Sequence, residues 1–258
     1  MGEINQMKTY LSVVIPCYNE KENLKRGVLK EVYDFLEGQK YSWEVIVSDD
    51  GSSDDSLEIV SDFVKKHRGF RVLKNKHGGK PWAVWKGIKA ARGEIVLFTD
   101  MDQSTPIGEL KKILPWFDKG YNVVIGSRGL KREGFPLIRQ IMSRAFRFLR
   151  GLILLADIDD TQCGFKAFKT EVARKVFPKL QFFQTVEYEV KGWRVSAFDV
   201  ELLFISQKYG HKIKEVEVSW KDRDVAGGKQ KNFLKESGEM AKELVRVRLN
   251  DLRGGYDI

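Results

Sequence analysis

The chain has 258 residues, of which 42% are hydrophobic and 31% charged, with a formal net charge of +9. That balance excludes a disordered or collagen-like chain, gives enough length for a large core, and points through its positive excess to an anionic partner: phosphates, nucleic acid or anionic lipid. The two cysteines, Cys17 and Cys163, lack metal-ligand spacing and are too few for a disulfide framework, which suits a reducing cytosol, and no apolar run approaches the ~20 residues of a membrane span.

Leu11–Ile15 reads as a buried strand ended by Pro16, and Asn19–Glu37 as a helix closed by Gly38. Trp43–Ser48 reads as a second strand, Asp54–Lys66 as a helix with Ser52 or Ser53 as its cap, and Phe70–Leu73 as a short third strand. Pro81, at a first helical position, opens a helix to Ala91 that Gly93 ends. Glu94–Thr99 is a fourth strand, Pro106–Lys119 a helix and Asn122–Ile125 a fifth strand. This β-α alternation predicts an α/β fold with a mostly parallel sheet, helices on both faces and right-handed crossovers. The second half is less regular. Helices are expected near 139–155, 169–177, 197–209 and 232–249, a turn region near 157–168, and a strand over Ile213–Val218. No linker stands out, so 1–258 reads as a single domain.

Asp100 and Asp102 follow the fourth strand. Residues two apart in a strand point to the same side, so these carboxylates converge at a carboxyl end, where open α/β sheets hold their ligands. One or two carboxylates plus substrate phosphates is the usual way to hold Mg²⁺. The alternative is a pair of solvated aspartates in a turn before Pro106. Asp49 and Asp50 close the second strand in the same way. They are candidates to accept hydrogen bonds from a base or a ribose, or to form an Asx-turn and helix cap.

The strand ending in Pro16-Cys17-Tyr18-Asn19-Glu20, then Asp49-Asp50-Gly51-Ser52-Ser53-Asp54, then Asp100-Met101-Asp102, resembles the family 2 glycosyltransferases of GT-A fold. Gly126-Ser127-Arg128, Asp160-Thr161-Gln162-Cys163-Gly164-Phe165-Lys166 and Phe198-Asp199-Val200-Glu201-Leu202 resemble those of the dolichyl-phosphate β-glucosyltransferases within it, with the mannose synthases next. The similarity runs from about Leu11 to Arg253.

The resemblance implies a Rossmann-like GT-A architecture with a C-terminal extension on the acceptor side. About 10–126 would be the nucleotide-sugar half and about 127–258 the acceptor and membrane-facing half. Pro16, Tyr18, Glu20, Asp49, Asp50 and Met101 would line the nucleotide-sugar site, and Lys80 would sit near the uracil or diphosphate. Asp100 would contact the ribose or the metal, and Asp102 would hold Mg²⁺ or Mn²⁺ beside the nucleotide sugar and be central to catalysis. Gln103, adjacent to the pair, does not match the position of the mannose synthases' additional Gln ligand. Arg128, Arg139 and Ser143 would bind a lipid phosphate. The implied reaction is inverting transfer of a hexose, from UDP-glucose, to a polyprenyl (dolichyl) phosphate. The alternatives are a GDP-mannose donor or a glycan hydroxyl acceptor. Some relatives carry transmembrane helices; this chain would be peripheral, on the cytoplasmic face of a membrane.

A lipid phosphate is already anionic near neutral pH and needs no strong base, whereas a hydroxyl acceptor does. Asp199 and Glu201 are the candidate carboxylates for that base or for positioning an acceptor; the alternative for Asp199 is a helix cap. The loop Lys221–Lys229 has glycines suited to a lid, with Arg223 and Lys229 as diphosphate contacts, or else is a solvated basic turn. Between Leu137 and Ala156, Arg139, Arg144, Arg147 and Arg150 gather on one side of a helical projection and most apolar residues on the other, the form of an interfacial helix or of an ordinary surface helix. No nucleic-acid motif is present, and carboxylates lining the cleft would repel a phosphate backbone, so no nucleic-acid partner is expected.

Overall fold

A computed structural model describes residues 9–129, 151, 154–155, 158–184, 198–226 and 233–257. Among them, β1 (Leu11–Cys17), β2 (Trp43–Asp49), β3 (Phe70–Lys74), β4 (Ile95–Phe98), β5 (Val123–Ser127), β6 (Lys166–Lys169) and β7 (Ile213–Glu217) form one seven-stranded sheet. The helices are α1 (Lys21–Lys25), α2 (Val28–Glu37), α3 (Ser56–Lys66), α4 (Lys80–Ala90), α5 (Leu110–Ile113), α6 (Pro115–Asp118), α7 (Thr170–Val176), α8 (Gln181–Gln184), α9 (Phe198–Lys208) and α10 (Phe233–Leu252).

The strand order is β3-β2-β1-β4-β6-β5-β7, parallel throughout except for β6, which runs antiparallel to β4 and β5. The central strands are continuous apolar runs because both faces are covered. Val13 and Ile15 face one cluster, closed by α2 and α3. Val14 faces the other, closed by Val84 and Ile88 of α4, Val172 of α7, Leu202 of α9, and Leu244 and Val247 of α10.

Three expectations change. The helix expected over Asn19–Glu37 breaks into α1 and α2 at Gly27, whose φ of +87° leaves the helical region. The one expected over Pro106–Lys119 is a 3₁₀ turn followed by α5 and α6, because Pro115 has no N–H to continue the ladder. The turn region near 157–168 contains the start of β6, whose Lys166 is fully buried. The basic helix expected near 139–155 falls almost entirely outside the described residues.

Topology brings the motifs together. β1, β2, β3, β4, β5 and β7 all point their carboxyl ends at one edge of the sheet. Antiparallel β6 starts at that same edge, with Lys166 opposite Phe98 and Ile125. The segments after β1, β2, β3, β4, β5 and β7, and the one before β6, therefore meet there. Pro16 sits in a strand paired on both sides, yet costs no ladder bond. Thr99 N–H donates to Val14, so alternate residues of β1 face β4. The β1–β4 ladder stops at Val14–Phe98, and Pro16 lies just beyond it.

Candidate active site

The Asp100–Gln103 turn is the centre of the cleft. Asp100 Oδ1 lies 2.5 Å from Lys80 Nζ. Lys80 Nζ is pulled down by burial, but Asp100 and Asp199 outweigh that and raise its pKa. Asp102 has no ion-pair partner among the described residues. Its Oδ1 accepts the Ser104 N–H at 2.8 Å, and its carboxyl is pushed up by burial and by the charge of Asp100. Gln103 holds the turn: its main chain adopts φ +50°, and its Nε2 donates to Asp100 O at 3.0 Å. Arg26 Nη2 donates to Asp102 O at 2.5 Å and Nη1 to Arg223 O, tying the turn to the loop after β7.

Glu20 stands in the same acidic neighbourhood. Burial, reinforced by Asp224, Asp102 and Asp100 against the Asn23 hydrogen bond, pushes its pKa from 4.5 up to about 7. The folded chain therefore binds more protons than the unfolded chain in this window, so stability falls as pH rises from 4.5 to 7. Glu20→Gln should remove that share, on the order of 3 kcal/mol at pH 8, and keep the Asn23 hydrogen bond. Urea melts of both proteins at pH 5 and pH 8 check this; an equal pH dependence would refute it.

Tyr18 and Asp50 meet around the Gly78-Gly79-Lys80 loop. The Tyr18 ring stacks on His77, with centroids 4.3 Å apart. Asp50 is fully buried, with Oδ1 accepting from Gly78 N–H at 2.9 Å and Oδ2 from Gly79 N–H at 2.7 Å. Burial raises its pKa against those two bonds and His77. His77 Nδ1 is 2.8 Å from Asp50 Oδ2 and 3.1 Å from its main-chain oxygen, both acceptors, so Nδ1 carries a proton. The expectation that Asp50 touches the nucleotide is thus corrected: it shapes the loop that delivers Lys80. Asp49 takes the Asx-turn alternative, accepting from Gly51 and Ser52 N–H at 3.1 and 3.3 Å. Met101 is corrected as well, since only 2% of it is exposed and it packs into the core.

The second half closes the other side. Gly164 stands against Asp100 so tightly that a Cβ there would fall 2.0 Å from Asp100 Oδ2. Lys166 Nζ donates to Asp199 Oδ1 at 2.7 Å and to Cys163 O at 2.5 Å, and lies 5.7 Å from the centroid of the Phe98 ring. Asp199, in the first turn of α9, is thus brought to the cluster, held between Lys166 and the field of Lys80. Arg128 is engaged differently from expectation. Its Nε and Nη2 fork onto Asp160 at 2.7 and 2.8 Å, which ties the end of β5 to the loop before β6. It positions the Gly164 loop instead of presenting a free guanidinium fork to a lipid phosphate. Arg139 and Ser143 lie outside the described residues.

Two further expectations are corrected. Glu201 points away from the cleft, accepting from Tyr256 OH at 2.7 Å and Gln181 N–H at 2.8 Å, and burial raises its pKa. It anchors α9 to the C-terminal segment. Tyr256→Phe should therefore cost about 1–3 kcal/mol by thermal melt while turnover stays near wild type; a large drop in turnover without loss of stability would return Glu201 to the site. Arg223 forks onto Glu31 at 2.9 and 2.7 Å on the surface. Its loop is docked: Lys221 N–H donates to Ser104 O, Arg223 N–H to Ser104 Oγ, and Asn23 bonds Asp224 and Val225. Lys229 lies outside the described residues. His77, Arg26, Asn23, Asp224 and Lys166 are residues of the site that no sequence expectation assigns a role. His77 had a signal, its place directly before Gly78-Gly79-Lys80, as did Lys166 inside a quoted motif.

An open, mostly parallel sheet whose strand ends gather an Asp-x-Asp turn, a buried lysine and a stacked aromatic pair is the GT-A class of fold. The chain belongs to glycosyl transferase family 2, whose family model matches residues 12–177. It is 33% identical to a dolichyl-phosphate beta-glucosyltransferase of Dictyostelium discoideum, over 96% of this chain and 77% of that protein. The enzymes of that name from Homo sapiens (33%, 95% and 77%) and Saccharomyces cerevisiae (31%, 96% and 76%) are also similar. Two solved structures share the fold. A mannosyltransferase from Pyrobaculum calidifontis in complex with GDP-Man and Mn²⁺ superposes with a TM-score of 0.62 at 18% identity, over 96% of this chain and 65% of that one. A glucosyl-3-phosphoglycerate synthase from Mycobacterium tuberculosis in complex with Mn²⁺, UDP-glucose and phosphoglyceric acid gives 0.57 at 19%, over 94% and 79%.

Proposed function

We propose that this glycosyltransferase moves glucose from UDP-glucose to a polyprenyl phosphate of the dolichyl type, with inversion at C1, using Mg²⁺ or Mn²⁺. The observation that carries the reading is the Asp100–Met101–Asp102 turn facing Lys80, in a chain matched along nearly its whole length by enzymes named for this transfer. The residues fit a divalent cation. Asp102 lacks a cationic partner among the described residues, and burial, with the neighbouring carboxylates adding to it, raises Glu20 and Asp102. Among the described residues no three carboxylate, His or Cys side chains form a ready-made cluster, as suits an ion that takes its remaining oxygens from a diphosphate and water. Asp102, with Asp100 beside it, would hold that ion, which when bound neutralises charge on the departing diphosphate.

The chain's own groups supply the rest. Tyr18 stacked on His77 offers a flat platform for the base. Lys80, delivered by the Asp50-anchored loop, adds a second positive charge where the diphosphate leaves. The acceptor phosphate, with a second pKa near ~6, attacks C1 from the face opposite the leaving group, and an α-linked donor gives a β-linked product. No protein base is required. That matches the geometry, because Glu201 is sequestered and Asp199 is spent on Lys166. No helix among the described residues is long and apolar enough to cross a membrane. In this reading the chain meets the lipid peripherally, at a cytoplasmic face.

Mass spectrometry of the lipid product tests this. The purified chain is incubated with Mg²⁺ or Mn²⁺, a short polyprenyl phosphate, and UDP-glucose or GDP-mannose in separate tubes. A hexosyl phospholipid from UDP-glucose alone is expected. Product from GDP-mannose alone overturns the donor, and no lipid product from either overturns the acceptor.

A further inference from the structure

Few large apolar side chains stand exposed among the described residues, and three of them share one stripe of α10. Val245, Leu249 and Leu252 are 49, 46 and 69% exposed, at spacing i, i+4, i+7. Leu244 and Val247, each 1% exposed, are the core-facing positions. At ~100° per residue the stripe lies roughly 140° from them, on the outward side of the helix. In the same projection Lys242, Arg253 and Arg246 border it on one side and Arg248 on the other. Arg246 and Arg248 also pair with Glu243 and Asp251, acids placed further round towards the core. The helix thus buries one apolar face and presents a second, edged by cations.

The same side of the sheet carries another surface of similar chemistry. α4 and α10 cover one core cluster. Trp82 and Trp85 of α4 and Phe183 of α8 pack together half-buried, with centroids 5.9 and 6.2 Å from Phe183. Lys86 Nζ lies 4.5 Å over the Trp82 ring and Lys89 Nζ 5.8 Å over that of Trp85. Half-exposed indoles with lysines beside them suit a headgroup region, where one end of the side chain is apolar and the other wet.

We infer that this face rests on an anionic phospholipid bilayer, with α10 lying in the interfacial plane. Val245, Leu249 and Leu252 enter the boundary between headgroups and acyl chains, and the flanking Lys and Arg side chains reach lipid phosphates. A second copy of the chain is the poorer occupant, because a symmetric contact would set these cations against their own equivalents on a molecule of charge +9. The inference deepens the proposed reaction, since a polyprenyl phosphate is met at a membrane, but the flotation that decides it uses neither donor nor acceptor.

The full chain is floated with phosphatidylcholine vesicles, with and without phosphatidylglycerol. Wild type should float with the anionic vesicles, less so with the neutral ones, and lose binding as salt screens the charges. Leu249→Gln/Leu252→Gln should weaken flotation by at least about tenfold through lost apolar burial, with an unchanged melting temperature. Its turnover of a short, water-soluble polyprenyl phosphate should match wild type. Absence of wild-type flotation on anionic vesicles, or equal flotation of the variant, overturns the inference. So does light scattering that shows a dimer which the double variant breaks. Stripe-dependent flotation without any lipid product would leave this inference standing and sink the proposed reaction.

Discussion

Asp102→Asn is expected to lower kcat by about 10²–10³-fold while leaving the fold intact or slightly more stable. The two halves of that expectation have the same cause. Asp102 is placed where its charge is unfavourable for the apo fold: burial and the neighbouring Asp100 both push its carboxyl towards the protonated form. An isosteric amide removes the repulsion and keeps an oxygen to accept the Ser104 N–H. What it removes is the anionic oxygen for a divalent cation, hence charge neutralisation at the leaving diphosphate. Mn²⁺ titration in the presence of UDP should show correspondingly weaker binding. A variant with wild-type turnover and Mn²⁺ affinity would sink the role given to Asp102. A variant that loses activity together with several degrees of melting temperature would make Asp102 structural instead.

The N-terminal half was legible because its physics is local. Short apolar runs such as Leu11–Ile15, rich in β-branched residues and punctuated by Gly and Pro, read as strands covered on both faces. The Asp pair after the fourth of them sits where a parallel sheet opens. What pattern could not reach was partnership. Asp49 and Asp50 look alike in sequence, yet one closes its own turn and the other reaches 28 residues ahead to the Gly78 N–H. Glu201 and Asp199 sit two apart on α9, so their side chains diverge; Asp199 meets Lys166 and Glu201 meets Tyr256, 55 residues away. β6 escaped because Lys166 reads as surface. In the fold it is 0% exposed, a buried cation made tolerable only by Asp199 and a main-chain oxygen. Its short antiparallel strand begins at the edge where the other strands end, and so holds the Asp160–Lys166 segment there; no periodicity in the sequence announces that.

The same strand underlies the second large effect, expected from the smallest change. Gly164→Ala should lower turnover by about a hundredfold, with little loss of stability, because it acts on Asp100 through geometry alone. The added Cβ would lie 2.0 Å from Asp100 Oδ2 and 2.6 Å from Cγ, far inside contact distance. Gly164 itself is not among the residues in the left-handed region, so alanine brings no backbone strain there. Its own loop is pinned from both ends, by the Arg128–Asp160 fork and by Lys166 in β6. The Asp100 carboxylate, 40% exposed and at the end of a rotatable side chain, is the part that gives way. Rotating it breaks the contact with Lys80 and turns it away from Asp102. Asp100→Ala in the Gly164→Ala background separates this from a general packing defect. If the methyl acts by displacing Asp100, the double variant should be no slower than Asp100→Ala alone, since the group being displaced is already gone. Independent, multiplying losses in the double variant would instead place the effect of residue 164 elsewhere in the cleft.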